Sequence, residues 1–169
     1  MGKVRDVAEQ LVLGPRVRQN HALEHATILL LTQKNPRVVL RGRSTANGFY
    51  VYGEATEEDL RQCADEALRR LRGGEPEMAI HPRCGTNLAV AGMMAGISSV
   101  LVGEIPPRRN KYSRAVLASL VSLFIAPPVG MYVQKRFTTM TPTSRMSIVD
   151  ARRRGARHGN GFFVHTTFA

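Results

Sequence analysis

Residues 86–103, TNLAVAGMMAGISSVLVG, run for eighteen positions without a charged side chain. A second uncharged stretch, residues 115–133, reads AVLASLVSLFIAPPVGMYV and is nineteen residues long. Both approach the roughly twenty apolar residues that an α-helix needs to cross the hydrocarbon core of a bilayer. A short basic segment joins them, so the sequence predicts a transmembrane hairpin. The alternative is a pair of buried helices in a soluble domain. Pro127 and Pro128 predict a kink or break in the second helix.

The first uncharged stretch has a row of small residues at four-residue spacing, which lets helix backbones approach closely in lipid. These residues are Ala91, Ala95, Ser99 and Gly103. The row predicts a face for a second copy of the chain or for a partner membrane protein.

The net charge of +11 is unevenly placed along the chain. Up to Arg83 there are 13 basic and 11 acidic residues, whereas from Lys135 onward there are seven basic and one acidic. This distribution favours membrane lipid as a partner. Residues 134–169 therefore predict a flexible basic tail that binds anionic lipid or is simply solvated. Nucleic acid is disfavoured because the arginine run 152–154 lacks a recognisable nucleic-acid module.

The first 85 residues predict a small αββα domain. The expected elements are a helix at 3–13, a helix at 20–33 with Asn20 as its N-cap, and strands at 37–41 and 49–52 joined by a longish loop. A further helix begins after Thr56, has an apolar stripe that includes Cys63, and ends at Gly73-Gly74. The predicted fold class is thus α+β, with an αββα metal-binding domain at 1–85, a hairpin at 86–133 and a tail at 134–169.

The segment His21-Ala-Leu-Glu24-His25 has the spacing of a metal-binding helix. Two histidines four residues apart project from one helix face, where both imidazoles can bind one zinc-like ion. Glu24 gives the H-x-x-E-H order, in which a carboxylate beside the metal serves as general base. Glu24 can alternatively act as a ligand or orient a histidine.

A second motif, His81-Pro-Arg-Cys84-Gly-Thr-Asn87, adds an imidazole and a thiol. His81 is the expected third ligand, and Cys84 is an alternative or fourth ligand. Three protein ligands leave a position open for catalytic water, whereas four ligands close the site and make it structural. Zinc is the expected metal, although reduced iron also accepts these ligand types.

These motifs resemble an uncharacterised bacterial membrane-protein family over about residues 20–103. The matching segments include the HxxEH and HPxCGTN motifs and the strand Gly48-Phe-Tyr-Val-Tyr-Gly53. The family is similar to a wider group of predicted metal-dependent membrane enzymes that carry HPRCGT. The resemblance implies a metal and a membrane location but no substrate.

Two functions follow as hypotheses. The first is an integral membrane metalloprotein that acts as a zinc-dependent hydrolase at the membrane surface, with His21, His25, His81 and Cys84 at the metal and Glu24 as base. The second is a non-enzymatic membrane subunit with a structural His/Cys site. Basic residues near the spans favour a bacterial inner-membrane protein with its metal domain in the cytoplasm. On that side lie Arg69, Arg70, Arg72, Arg83, Lys135, Arg136 and Arg145, against Arg108, Arg109, Lys111 and Arg114 on the other.

Overall fold

The computed structural model describes residues 14–156 and 159–169. Within these ranges the chain forms four helices and one four-stranded antiparallel sheet. It divides into two compact units, the first containing the residues up to Ile80 together with residues 137–169, and the second containing residues 81–136. The helix expected at 3–13 lies outside the described residues.

Helix α1, Pro15–Lys34, opens the first unit. Gly14 is its N-cap and Pro15 takes the first helical position, where the missing N–H of proline costs nothing. The expected start at Asn20 is therefore wrong. Asn20 is fully buried inside the helix, donates to the Thr45 carbonyl at 2.8 Å and accepts from the Thr166 hydroxyl at 2.7 Å.

Strands β1, Arg41–Thr45, and β2, Gly48–Tyr52, form the expected hairpin. The first strand begins four residues later than expected, and a two-residue turn replaces the longish loop. Gly48 has φ +142°, and an added Cβ there would overlap the Val164 carbonyl oxygen. Glycine is thus required where the chain leaves the turn and meets the next strand of the sheet.

Helix α2, Glu57–Arg72, matches its prediction. The Thr56 hydroxyl accepts from the Asp59 N–H at 3.0 Å, and Gly73 follows the last helical residue. Cys63 is buried on the apolar stripe as expected, and burial raises the pKa of its thiol. A short 3₁₀ turn, Pro76–Ala79, follows the helix and ends the first segment of this unit.

The expected flexible tail is wrong, because residues 146–156 and 159–168 form half of the sheet. Strand β3, Met146–Ala156, pairs with β4, Gly159–Phe168, and β4 pairs with β2 to give the order β1-β2-β4-β3. The physical reason is a period-two pattern in β4, where Phe162, Val164 and Thr166 are buried. Helix α1 packs against α2 and against the sheet, and their facing apolar side chains make one core.

The second unit contains helix α3, Gly85–Glu104, and helix α4, Lys111–Val133, which pack against each other. Ser119 donates to the Ala95 carbonyl at 3.1 Å, and the hydroxyls of Ser122 and Ser98 are 2.8 Å apart. Helix α4 continues through Pro127 and Pro128, so the alternative of a broken helix is wrong. A π-helical turn, Gln134–Thr138, follows α4.

Both helices of this unit are long and apolar enough to cross a membrane. Their apolar side chains are largely exposed: Leu88, Phe124 and Tyr132 have 78%, 86% and 60% of their surface accessible. Burying a side chain of this size contributes about 1.5–3 kcal/mol, so such a surface favours an apolar environment.

Candidate metal centre

Helix α1 places His21 and His25 on one face, one turn apart. Their ring centroids are 4.3 Å apart in an edge-to-face arrangement, and a ring nitrogen of each lies within 4.8 Å of the other. Two nitrogen ligands of one tetrahedral zinc ion lie about 3.3 Å apart at Zn–N distances near 2.05 Å, a separation within that limit. The structure therefore brings together the two histidines that the HxxEH spacing pairs.

Both rings are held through the same nitrogen atom. His21 Nδ1 is 2.8 Å from the Thr138 carbonyl oxygen, and His25 Nδ1 is 2.7 Å from the Ala79 carbonyl oxygen. A carbonyl can accept a hydrogen bond but cannot donate one, so each Nδ1 carries the proton. In the neutral imidazoles the lone pair then lies on Nε2. This is the tautomer in which a histidine typically ligates a metal while its other nitrogen donates to a carbonyl.

Glu24 lies on the same helix but makes its own contacts. Its carboxylate accepts a hydrogen bond from the Ser44 hydroxyl and packs against Gly42 of β1. Burial raises the pKa of Glu24, while the Ser44 hydrogen bond and the charge of His21 act in the opposite direction. A carboxyl with a raised pKa is suited to accept and return a proton nearer neutral pH.

The second motif begins the second unit and is held there by Gln134, which is fully buried. The Gln134 side-chain oxygen accepts from the His81 N–H at 3.1 Å. Its amide nitrogen donates to the His81 carbonyl at 3.1 Å and to Asn87 Oδ1 at 2.6 Å. Asn87 in turn donates to the Pro82 carbonyl at 2.7 Å. This network fixes the backbone that carries His81 and Cys84.

Within this segment His81 and Cys84 differ in their local hydrogen bonds. His81 Nδ1 accepts from the Arg83 N–H at 3.1 Å, which places the proton of a neutral ring on Nε2. Cys84 is the N-cap of α3, and its sulfur accepts from the Thr86 N–H at 3.4 Å. The positive end of a helix dipole favours negative charge on that sulfur.

The second unit also has an open groove of about 320 Å³ beside Cys84. Its wall is apolar apart from Arg83, Asn87 and the cysteine itself. The lining residues are Pro82, Arg83, Cys84, Asn87, Leu88, Ala91, Leu123, Ala126 and Pro127.

The sequence missed the groups that hold the histidines and the HPRC segment. Ser44 lies in a stretch of sequence typical of a turn, and the carbonyls of Ala79 and Thr138 have no sequence signature. Gln134 could have been singled out from the sequence, because it is a polar residue directly after an uncharged span. The small-residue row is partly used inside the hairpin, where Ala95 contacts α4 and an added Cβ at Gly103 would lie 3.7 Å from the Ala115 side chain.

Comparison with known proteins finds a family model that matches most of the chain. Residues 16–151 match the family model described as "Domain of unknown function (DUF6391)". An uncharacterised protein of Picosynechococcus sp. (strain ATCC 27264 / PCC 7002 / PR-6) is 37% identical over 140 residues, which are 75% of this chain and 67% of that protein. No solved structure matches. The chain therefore belongs to the uncharacterised bacterial family DUF6391.

Proposed function

We propose that the protein is an integral membrane metalloprotein that binds one zinc ion and acts as a zinc-dependent hydrolase at the membrane surface. The observation that carries the proposal is the edge-to-face pair of His21 and His25, each with its Nδ1 proton donated to a backbone carbonyl. A buried histidine that binds no metal also needs a hydrogen-bond partner for a ring nitrogen, so one such contact alone does not indicate a metal site. Two such histidines one turn apart on one helix face, each with its ring orientation fixed by a carbonyl, have the preorganisation of a metal site.

The third ligand that we propose is Cys84. Cys84 would add a thiolate sulfur to the two imidazole nitrogens of His21 and His25, and zinc accepts both ligand types. Sulfur and imidazole together favour zinc, and reduced iron is the other candidate. His81 is the weaker candidate because its Nδ1 already accepts from the Arg83 N–H.

Three ligands would leave one position for water, whose pKa a zinc ion lowers toward neutrality. Glu24 would hold the proton released there, since its carboxyl is buried and its pKa is raised. The groove beside Cys84 would receive an apolar portion of the substrate, and Arg83 at its wall would pair with an anionic one. Membrane peptides and lipid-linked molecules both have this character.

The two membrane-length helices and the charge distribution support a membrane location. We propose the bacterial inner membrane, with both ends of the chain and the histidines in the cytoplasm. The exposed glycines of α3, Gly92 and Gly96, have nothing within 4 Å of an added Cβ. Beside the small-residue row they would allow contact with a second copy or with a partner membrane protein.

The test is the metal content per chain of detergent-purified protein, measured for wild type, His21→Ala, His25→Ala, Cys84→Ser and His81→Ala. His165→Ala is the matched control, because His165 lies on the sheet away from α1. We expect about one zinc in wild type, lost from the first three variants and retained in the last two. Absence of metal in wild type after metal-replete expression would refute the metal site.

Glu24→Gln separates the enzyme from a structural role. An enzyme keeps its metal and loses hydrolysis of a membrane peptide or lipid-linked substrate. If His81→Ala also loses the metal and the chain unfolds without it, the site has four ligands and is structural. The protein would then be a non-enzymatic membrane subunit.

A further inference from the structure

The outer face of the sheet carries a set of aromatic and basic side chains that the metal proposal does not use. Side chains alternate across a strand, so the register fixes which residues share the face opposite the core. Its two central strands contribute Tyr50, Tyr52, Phe163 and His165. Its two edge strands contribute Arg41, Arg43, Asp150, Arg152 and Arg154.

The aromatic rings form a continuous row along the middle of the sheet. Tyr52 stacks on Tyr50 at a centroid distance of 6.0 Å with 10° between the planes. Tyr50 contacts Phe163 at 4.7 Å, and Phe163 stacks on His165 at 6.2 Å. All four are half-buried rather than enclosed. Their mutual contacts hold them in place at the surface.

Arginines lie on both sides of this row. In the register Arg43 pairs with Tyr50 and Arg152 pairs with Phe163, which places one exposed arginine at each edge of the same cross-strand row. The next row has Arg41 opposite Tyr52. The Arg154 guanidinium lies 5.5 Å from the centre of the Phe163 ring. Among the described residues of this face, Asp150 is the one acidic side chain, and it pairs with Arg152.

We propose that this face binds single-stranded nucleic acid. Bases stack on exposed aromatic rings carried by the central strands of a four-stranded sheet, while arginines at the edges bind the phosphates. Strand spacing of about 4.8 Å makes the face about 14 Å wide, enough for two or three stacked bases. The inference is independent of the metal site.

Two other anionic partners fit the face less well. A phospholipid headgroup supplies a phosphate for the arginines but no flat ring for the aromatic row. Duplex nucleic acid keeps its bases stacked inside the helix, out of reach of a sheet surface. Nucleic acid is disfavoured on the sequence alone because Arg152–154 fall in a predicted tail, but in the structure these arginines lie in β3 and two of them flank the aromatic row.

The test is fluorescence anisotropy of a labelled single-stranded RNA of about eight nucleotides, with the full chain in zwitterionic nanodiscs at about 0.1 M salt. Arg43→Gln combined with Arg152→Gln should weaken binding at least tenfold and reduce the salt slope by about 1.4. Phe163→Leu keeps the apolar contact but removes the ring, and we expect a loss of about 5- to 150-fold. Tyr50→Leu serves the same purpose if Phe163→Leu does not fold.

The matched control is Arg37→Gln combined with Arg69→Gln, which removes the same charge from exposed positions off the face. It should retain most of the affinity. Three results would overturn the proposal: no binding by wild type, equal losses in the control and face variants, or full affinity without the Phe163 and Tyr50 rings. Short-chain phosphatidylglycerol is added as a competitor, and preferential binding of this lipid would identify a headgroup surface instead.

Discussion

Replacing Asn20 with alanine should destabilise the protein by about 2–4 kcal/mol. The side chain is fully buried and links three elements, because it donates to Thr45 at the end of β1 and accepts from Thr166 of β4. Alanine leaves the Thr45 carbonyl and the Thr166 hydroxyl without these bonds, and each buried group left unsatisfied costs about 1–3 kcal/mol. For a chain of this size that loss lowers the melting temperature by about 4–16 °C.

A double-mutant cycle with Thr166→Val isolates the buried hydrogen bond. Far-UV circular dichroism during denaturation in detergent gives the free energy of unfolding for wild type, Asn20→Ala, Thr166→Val and the double variant. We expect the double variant to lose about 1–2 kcal/mol less than the sum of the single variants, since both remove one shared bond. Additivity within about 0.5 kcal/mol would refute the hydrogen bond between Asn20 and Thr166. That result would instead fit a helix cap at Asn20, which has no partner on β4.

Three further outcomes are expected. Gly42→Ala should destabilise the chain by about 1–3 kcal/mol, because its Cβ would overlap the buried Glu24 carboxylate, and an unchanged melting temperature would contradict that packing. Gln134→Leu should cost about 2–4 kcal/mol, because backbone groups of the HPRC segment lose their partner, and denaturation with a wild-type midpoint would argue against the network. Arg70 holds the pKa of Glu75 below its ordinary value of 4.5, so the stabilisation by this pair is present above that pH and is lost as the pH falls through the folded-state value. Stability of Glu75→Gln should therefore depend less on pH in the acidic range, and parallel acid-denaturation curves would exclude the effect.

The helices were predictable where several local signals agreed. Thr56, three acidic residues and a final Gly-Gly pair all indicate α2, and the structure gives Glu57–Arg72. The start of α1 was missed because asparagine at position 20 is a favoured helix N-cap, whereas the Gly14-Pro15 pair is typical of a helix end. A proline can follow a helix end or occupy the first position of a helix, so the sequence fits a start at Pro15 as well as a start at Asn20. The hydrogen bonds of Asn20 to Thr45 and Thr166 decide between the two.

Only the β1–β2 half of the sheet could be predicted, because β2 and β4 are far apart in the sequence. Strand β2 pairs with β4 across more than a hundred residues, and such pairing has no local signature. Arg152–154 gave residues 146–156 the composition of a solvated tail. The alternation in β4, where Phe162 and Val164 face the core and Phe163 faces out, was present in the sequence but was outweighed by the charge.

At the candidate metal centre, the spacing of His21 and His25 correctly predicted that the rings meet, because i and i+4 side chains share a helix face. The roles of Glu24, His81 and Cys84 stay predictions. What no pattern could supply is the identity of the groups that bind each Nδ1, since both are backbone carbonyls brought in by distant segments.

The hydrogen bond from His25 to Ala79 couples the helix to the chain that leads into the HPRC segment. Ala79 is two residues before His81 in the chain, and the bond that fixes the His25 tautomer also holds the end of the 3₁₀ turn at Ala79. A cation on Nε2 makes the Nδ1 proton a stronger donor, and charge-assisted hydrogen bonds are about twice as strong as neutral ones. If the proposed metal binds, it should therefore strengthen the hydrogen bond from His25 to Ala79. Hydrogen exchange at residues 76–80 should slow when zinc is added to the apo protein, and exchange that does not change in wild type would show that the His25–Ala79 bond does not respond to the metal.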